Sequence, residues 1–157
     1  LTISNNKIEF IDPNSFNIKN VVLIDLSFNS IKIISFKMFD SLLKLRFLYL
    51  DNNQLSGTIP SFSECPRLYY LILFNNQLSN YTTGALSTNY NLRYLDLSSN
   101  SLTQQAINQI YADLFTNYNA VQRGGVTINT RGNALPSGVA LDRIEFLRSK
   151  GWSISYE

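Results

Sequence analysis

Leu45-Arg-Phe-Leu48-Tyr-Leu50-Asp-Asn-Asn53-Gln-Leu55 decides the fold. Apolar residues hold the first, fourth, sixth and eleventh places, and asparagine holds the ninth. The same frame returns on both sides, with Ile or Val sometimes in place of Leu. It reads Leu1–Ile3–Asn6–Ile8, Val21–Ile24–Leu26–Asn29–Ile31, Leu68–Leu71–Leu73–Asn76–Leu78 and Leu92–Leu95–Leu97–Asn100–Leu102. The asparagines step by 23 (29−6), 24 (53−29), 23 (76−53) and 24 (100−76). A fixed period in this range predicts a solenoid.

The Leu-x-Leu centre alternates with period two, as a strand does when one face is buried. A single coil cannot bury that face. Stacked coils form a parallel sheet on the concave side, and their leucines fill one interior. The turn after each strand leaves backbone groups inside, and an asparagine amide supplies both donors and an acceptor. Asn29, Asn53, Asn76 and Asn100 are therefore expected to form an internal structural ladder. Ile31, Ile34, Phe39 and Leu42, then Leu55, Ile59, Phe62 and Cys65, are expected to pack the convex side.

After Leu102 the pattern changes. Ala106, Ile107, Ile110, Leu114 and Phe115 share a helical face, with Thr103 as N-cap. Val126-Thr-Ile128 reads as a strand. Ser137 is a candidate second N-cap, and Val139, Ala140, Ile144 and Leu147 continue the apolar face. Lys150-Gly151 ends that helix with glycine in the left-handed position. Trp152-Ser-Ile154-Ser-Tyr156 alternates as a last strand. The expected class is α/β: repeats over residues 1–102 and a helix/strand cap over 103–157, in one continuous domain. The stretch Asn117–Gly124 is long and polar for a connection inside such a cap. The start in mid-frame suggests the C-terminal part of a longer chain.

These residues carry a resemblance. The five frames resemble the leucine-rich repeat family, and Leu55-Ser-Gly-Thr-Ile-Pro60 matches its Leu-x-Gly-x-Ile-Pro variant. The tail, with Leu102-Thr-Gln-Gln-Ala-Ile-Asn-Gln-Ile, Gly-Asn-Ala-Leu-Pro-Ser137 and Leu-Arg-Ser-Lys-Gly-Trp152-Ser-Ile, is similar to a terminal module of bacterial surface or secreted repeat proteins. It is also similar to that of bacteriophage tail-fibre-like appendage proteins. The resemblance implies a binding role, an extracellular, cell-surface or virion location, and no catalytic residues.

Composition excludes several alternatives. There is no histidine, which removes Ser-His-acid and Cys-His nucleophiles and the usual zinc sites. The net charge is +2 with Lys and Arg scattered, so no basic run points to nucleic acid or anionic lipid. No apolar run is long enough to span a membrane. No Gly-rich phosphate loop is present, and Gly124-Gly125 reads as a turn. No cofactor or metal is expected. Cys65, the one cysteine, is expected as a buried thiol, and the absence of cysteine-bonded caps argues against a plant or protist receptor fragment. Asn80-Tyr-Thr82 is the one glycosylation triplet, of a kind that arises often by chance.

The variable strand positions point to solvent on the concave side. They give the candidate partner-binding set Phe28, Arg46, Phe47, Tyr49, Asp51, Tyr69, Tyr70, Ile72, Phe74, Arg93, Tyr94 and Asp96, with Asp25 beside them. Because leucines already fill the core positions, an aromatic stripe here is a contact surface. The expected partner is a cell-surface protein or glycan. Two alternatives stand for the same rings: a sister subunit or neighbouring domain of a larger appendage covers them, or they stack across strands.

Overall fold

The computed structural model describes residues 1–12, 20–33, 39 and 42–157. Ile34, placed by its spacing on the convex side, lies outside the described residues. The elements are β1 (Leu23–Asp25), β2 (Phe47–Tyr49), β3 (Ser56–Ile59), β4 (Tyr70–Ile72), β5 (Gln77–Tyr81), β6 (Tyr94–Asp96), α1 (Gln104–Val121), β7 (Thr127–Asn129), α2 (Val139–Ser149) and β8 (Ser153–Ser155). The main sheet has the order β1-β2-β4-β6-β7-β8, and all its pairs are parallel. The first frame joins through a single bridge, Thr2 to Asp25.

Register aligns one residue of every strand into the interior. Ile24, Leu48, Leu71, Leu95, Ile128 and Ile154 stand side by side and are buried. Behind them, Phe39, Leu42, Leu55, Ile59, Phe62 and Cys65 fill the convex side as their spacing predicts. Burying apolar surface continuously along the stack is what stabilises coils that have no stability alone.

The asparagine ladder forms. Asn53 Oδ1 accepts from Ile31 N, and its Nδ2 donates to Leu26 O, Leu50 O and Asp51 O. Asn29, Asn76 and Asn100 repeat the arrangement, each tying its own turn to the coil before it. Asn133 adds a further rung, accepting from Leu102 N and donating to Leu97 O and Thr130 O. Residues 125–135 are thus a sixth frame. Periodicity alone hides it, because the spacing from Asn100 is 33 (133−100) and Thr130 stands where leucine stood. The buried Thr130 hydroxyl is satisfied by Tyr111 Oη at 2.9 Å.

Three details depart from expectation. The convex side carries a second sheet, β3 paired in parallel with β5, formed by the Ser-Gly-Thr-Ile return of one coil and the Gln-Leu-Ser-Asn-Tyr return of the next. Ser137 is not an N-cap: α2 starts after Gly138 with no side-chain cap. Ser137 pairs with α1 instead, receiving Asn108 Nδ2 on its Oγ and donating its N–H to Asn108 Oδ1, each at 3.0 Å. Val139 does not continue the buried face and is 61% exposed, whereas Ala140, Ile144 and Leu147 are buried. Val139 lies about 140° around the helix from Ile144, on the face it shares with Asp142, Arg143 and Phe146.

The polar stretch Asn117–Gly124 resolves as the end of α1. Asn117 is buried and gives its amide to Leu86 O, and Gln122 closes the helix in the left-handed conformation. Thr103 caps the start, accepting from Ala106 N at 3.2 Å. Gly124 permits a close approach, since a Cβ there would lie 2.7 Å from Lys150 O. Gly151 takes the expected left-handed conformation after α2, with φ of 81°.

Candidate functional site

Two rows of side chains stand on the concave face, one on each side of the buried row. Leu23, Phe47, Tyr70, Tyr94, Thr127 and Ser153 are in register in the first. Asp25, Tyr49, Ile72, Asp96, Asn129 and Ser155 are in register in the second. Alternation along each strand forces this placement.

The first row makes an aromatic cluster. Phe47 meets Tyr70 edge-on at 5.6 Å, and Tyr70 lies 5.5 Å from Tyr94. Tyr69, on the flank, stacks on Tyr70 at 5.3 Å with planes 14° apart. The Arg46 guanidinium sits over Phe47 and Tyr69 at 5.5 and 5.3 Å. Each such ring or cation contact contributes about 0.5–1.5 kcal/mol. Cross-strand stacking is therefore real here, yet Phe47, Tyr69, Tyr70 and Tyr94 all keep partial exposure.

Beside the cluster lies an open hollow of about 480 Å³. Tyr49, Asp51, Tyr70, Ile72, Phe74, Tyr94 and Asp96 of the candidate set line it, together with Asp25 and Ser27. Its floor is more closed than sequence spacing suggests: Ile72, Asp51 and Asp96 are only 7%, 6% and 9% exposed. Ile72 pairs in register with Tyr49 on one side and Asp96 on the other, and Asp96 pairs with Asn129, so the floor is a mixed row of apolar and polar side chains.

Three carboxylates border this hollow. Asp25 Oδ1 accepts from Ser27 N and Oγ, and Asp96 Oδ1 does the same with Ser98. Asp96 Oδ2 also accepts from Asn129, and Asp51 Oδ2 from Asn52. These bonds fix orientation without neutralising charge. Burial pushes the Asp51 carboxyl above the usual range; the Asn52 amide and a backbone N–H pull it down, and Asp25 and Asp96 push it further up. Burial also raises Tyr49, helped by Tyr70, Asp25 and Asp51, and raises Tyr94, helped by Asp96 and Tyr70. The hydroxyls therefore stay protonated and can donate.

Five candidates do not line the hollow: Phe47 and Tyr69 belong to the ring cluster beside it, and Arg93, Arg46 and Phe28 stand apart. Arg93 donates from Nη1 to Gly124 O, so it anchors the loop before β7. Arg46 is occupied by its two rings. Phe28 is 52% exposed and holds φ of 53°, a left-handed conformation taken by Asn5, Asn52, Asn75 and Ser99 in the other coils. A bulky side chain is strained there. Asp25, which spacing sets beside the candidate set, lines the hollow in the same row as Tyr49 and Asp96. No helix is long and apolar enough to cross a membrane, among the described residues.

Comparison with known proteins places this geometry. Family models described as leucine rich repeat match residues 1–55, 43–88 and 91–112. No curated protein matches the sequence. Among solved structures, an internalin from Listeria monocytogenes superposes with a TM-score of 0.74 at 20% identity, covering 99% of this chain and 40% of its own. A leucine-rich repeat protein of Leptospira interrogans gives 0.70 at 20% identity, with 99% and 42% covered. TLR13, in its complex with ssRNA13, gives 0.64 at 25% identity, with 85% and 18% covered. The chain thus spans less than half the length of each of these proteins. Domains of this kind generally mediate binding. With its frames, ladder, parallel sheet and neighbours in agreement, the chain belongs to the leucine-rich repeat family.

Proposed function

We propose that this chain is a non-catalytic recognition module that takes a protein or glycan of a cell surface against its aromatic concave face, outside the cell. One observation carries the reading. Phe47, Tyr70 and Tyr94 stand in register at positions the interior does not need, because Leu48, Leu71 and Leu95 already fill it. Partly exposed rings on a rigid sheet offer contact area at low entropic cost, and tyrosine and arginine are enriched at binding hot spots. The fold likeness to an internalin and to a leucine-rich repeat protein of Leptospira supports a binding role. TLR13 is bound to RNA in its structure. Here the hollow carries three carboxylates, which repel a phosphate backbone, so nucleic acid is not the expected partner.

The test is binding of the fluorescently labelled chain to a panel of animal and bacterial cells. Tyr49→Ala is expected to weaken binding by about 1–3 kcal/mol while leaving the thermal melt nearly unchanged; Tyr70→Ala should weaken binding by as much and also lower the melt, because it removes the contacts with Phe47, Tyr69 and Tyr94. Undiminished binding by both folded variants removes the concave face as the recognition surface. Self-association that Tyr70→Ala abolishes identifies the face as a subunit interface instead.

A further inference from the structure

We propose that the concave hollow receives a positively charged side chain, a lysine or arginine presented by a protein partner. The inference rests on the recognition reading above and sharpens it. Three observations converge. The hollow is roomy, at about 480 Å³, and opens to solvent. Its walls include the rings of Tyr49, Tyr70 and Tyr94, whose faces attract a cation. Its charge is one-sided: Asp25, Asp51 and Asp96 line it, and no lysine or arginine does.

Two cations on the flank of the sheet are committed elsewhere. Arg46 lies over Phe47 and Tyr69, and Arg93 holds Gly124 O. The ion pairs formed among the described residues, Lys32–Glu9 and Arg148–Glu145, do not involve the three aspartates. Hydrogen bonds to Ser27, Ser98, Asn52 and Asn129 occupy carboxylate lone pairs but add no positive charge. That distinction separates the ligand classes. A neutral sugar needs free acceptors to orient its hydroxyls, and several here are taken. A cation needs uncompensated charge, which remains, and ring faces, of which Tyr69 covers one side of Tyr70. Burial is the main cause of the raised Tyr49 and Asp51 ionisations, and Asp25 adds to both. A metal ion fits less well: among the described residues no group of three acidic, cysteine or histidine side chains is placed to hold one.

The test is a titration of the full chain with N-acetyl-arginine methylamide, read from the tyrosine ring signals by NMR. The neutral isostere N-acetyl-citrulline methylamide, methyl galactoside and calcium chloride serve as comparisons. Saturable shifts of Tyr49, Tyr70 and Tyr94 are expected with the arginine probe, about tenfold tighter than with citrulline. Higher ionic strength should weaken them. Asp51→Asn should reduce affinity several-fold; Asp25→Asn, at a more exposed position, provides the same reading if Asp51→Asn does not fold. Equal binding of citrulline, tighter binding of the galactoside, or shifts with calcium alone overturns the cation. If no probe moves the rings while Tyr70→Ala still abolishes cell binding, the cation falls and the recognition reading stands. If the arginine probe binds while Tyr70→Ala leaves cell binding intact, the hollow takes a cation and the recognition reading falls.

Discussion

The coil from Asn76 to Asn100 and the coil from Asn100 to Asn133 reach the same place by different routes. The first returns across the convex side in 24 residues, using β5 and a series of turns. The second takes 33 residues and an 18-residue helix. Yet β6 and β7 pair in parallel as β4 and β6 do, and Asn133 accepts from Leu102 N as Asn100 accepts from Leu78 N. The strand and its asparagine therefore define the coil, and the return segment needs only to cover the interior. Strand or helix serves equally, provided its apolar face meets the leucines.

Deletion of residues 126–157 tests this comparison most severely. It removes β7, β8, α2 and the Asn133 rung, and uncovers α1 and the inner face of β6. The remaining chain is expected to aggregate or lose its cooperative melt, checked by light scattering and circular dichroism. A monomeric, equally stable truncation would show that the coils up to α1 need no further cap.

The rungs themselves come next. Asn100→Ala is expected to cost about 1–3 kcal/mol, because it strands buried backbone groups around Leu73, Leu78 and Leu97. Asn133→Ala should cost less, about 1 kcal/mol, since its site is only partly buried and water can replace some bonds. Denaturant melts of the two variants give the ratio. Equal losses would mean that the helical coil is as tightly closed as the regular one.

Alkaline pH separates the halves in another way. Tyr111, buried beneath the helical coil, has its hydroxyl pushed up to about 12 by burial. Tyr81, where the last regular return meets α1, is raised further by burial and by Asp113, to which its hydroxyl donates at 2.8 Å. An unfolded tyrosine ionises near 10, below both folded values. Above that pH the unfolded chain binds fewer protons, so stability present at lower pH falls as pH rises from about 10 through the folded values. Tyr111→Phe should flatten that fall in a pH series of melts. An unchanged slope would assign the whole effect to Tyr81 and other groups.

The smallest effect tests a surface position. Val139→Ser should change stability by no more than about 0.5 kcal/mol, because Val139 is 61% exposed. A larger loss in a thermal melt would place it in the core with Ile144 and Leu147.

Legibility followed the strength of the physical constraint. Leu48, Leu71 and Leu95 were readable because period two and a buried face admit one register. Asn29, Asn53, Asn76 and Asn100 were readable because a buried turn demands their donors and acceptor. Thr103 and Gly151 follow from local cap chemistry. The β3–β5 sheet was not, since Ser56 to Ile59 and Gln77 to Tyr81 reveal strands only once the coils are stacked. Neither was the Tyr81–Asp113 bond, which joins residues 32 apart. Tyr49, Tyr70 and Tyr94 could be placed on the concave face, but which of their neighbours close the hollow depends on ring orientation. Arg93 read as a contact residue because nothing local shows the Gly124 carbonyl beside it.

The ladder also determines how the molecule yields to force. Each rung clamps one coil to the coil before it, and no rung reaches further. A chain held by its two ends therefore has no single fastening whose loss releases everything. It should unspool coil by coil from the first frame. Each step frees a length of 23 or 24 residues. At full stretch that is about 80 Å per event, so optical-trap traces should rise as a staircase with near-equal treads until the longer helical coil gives way.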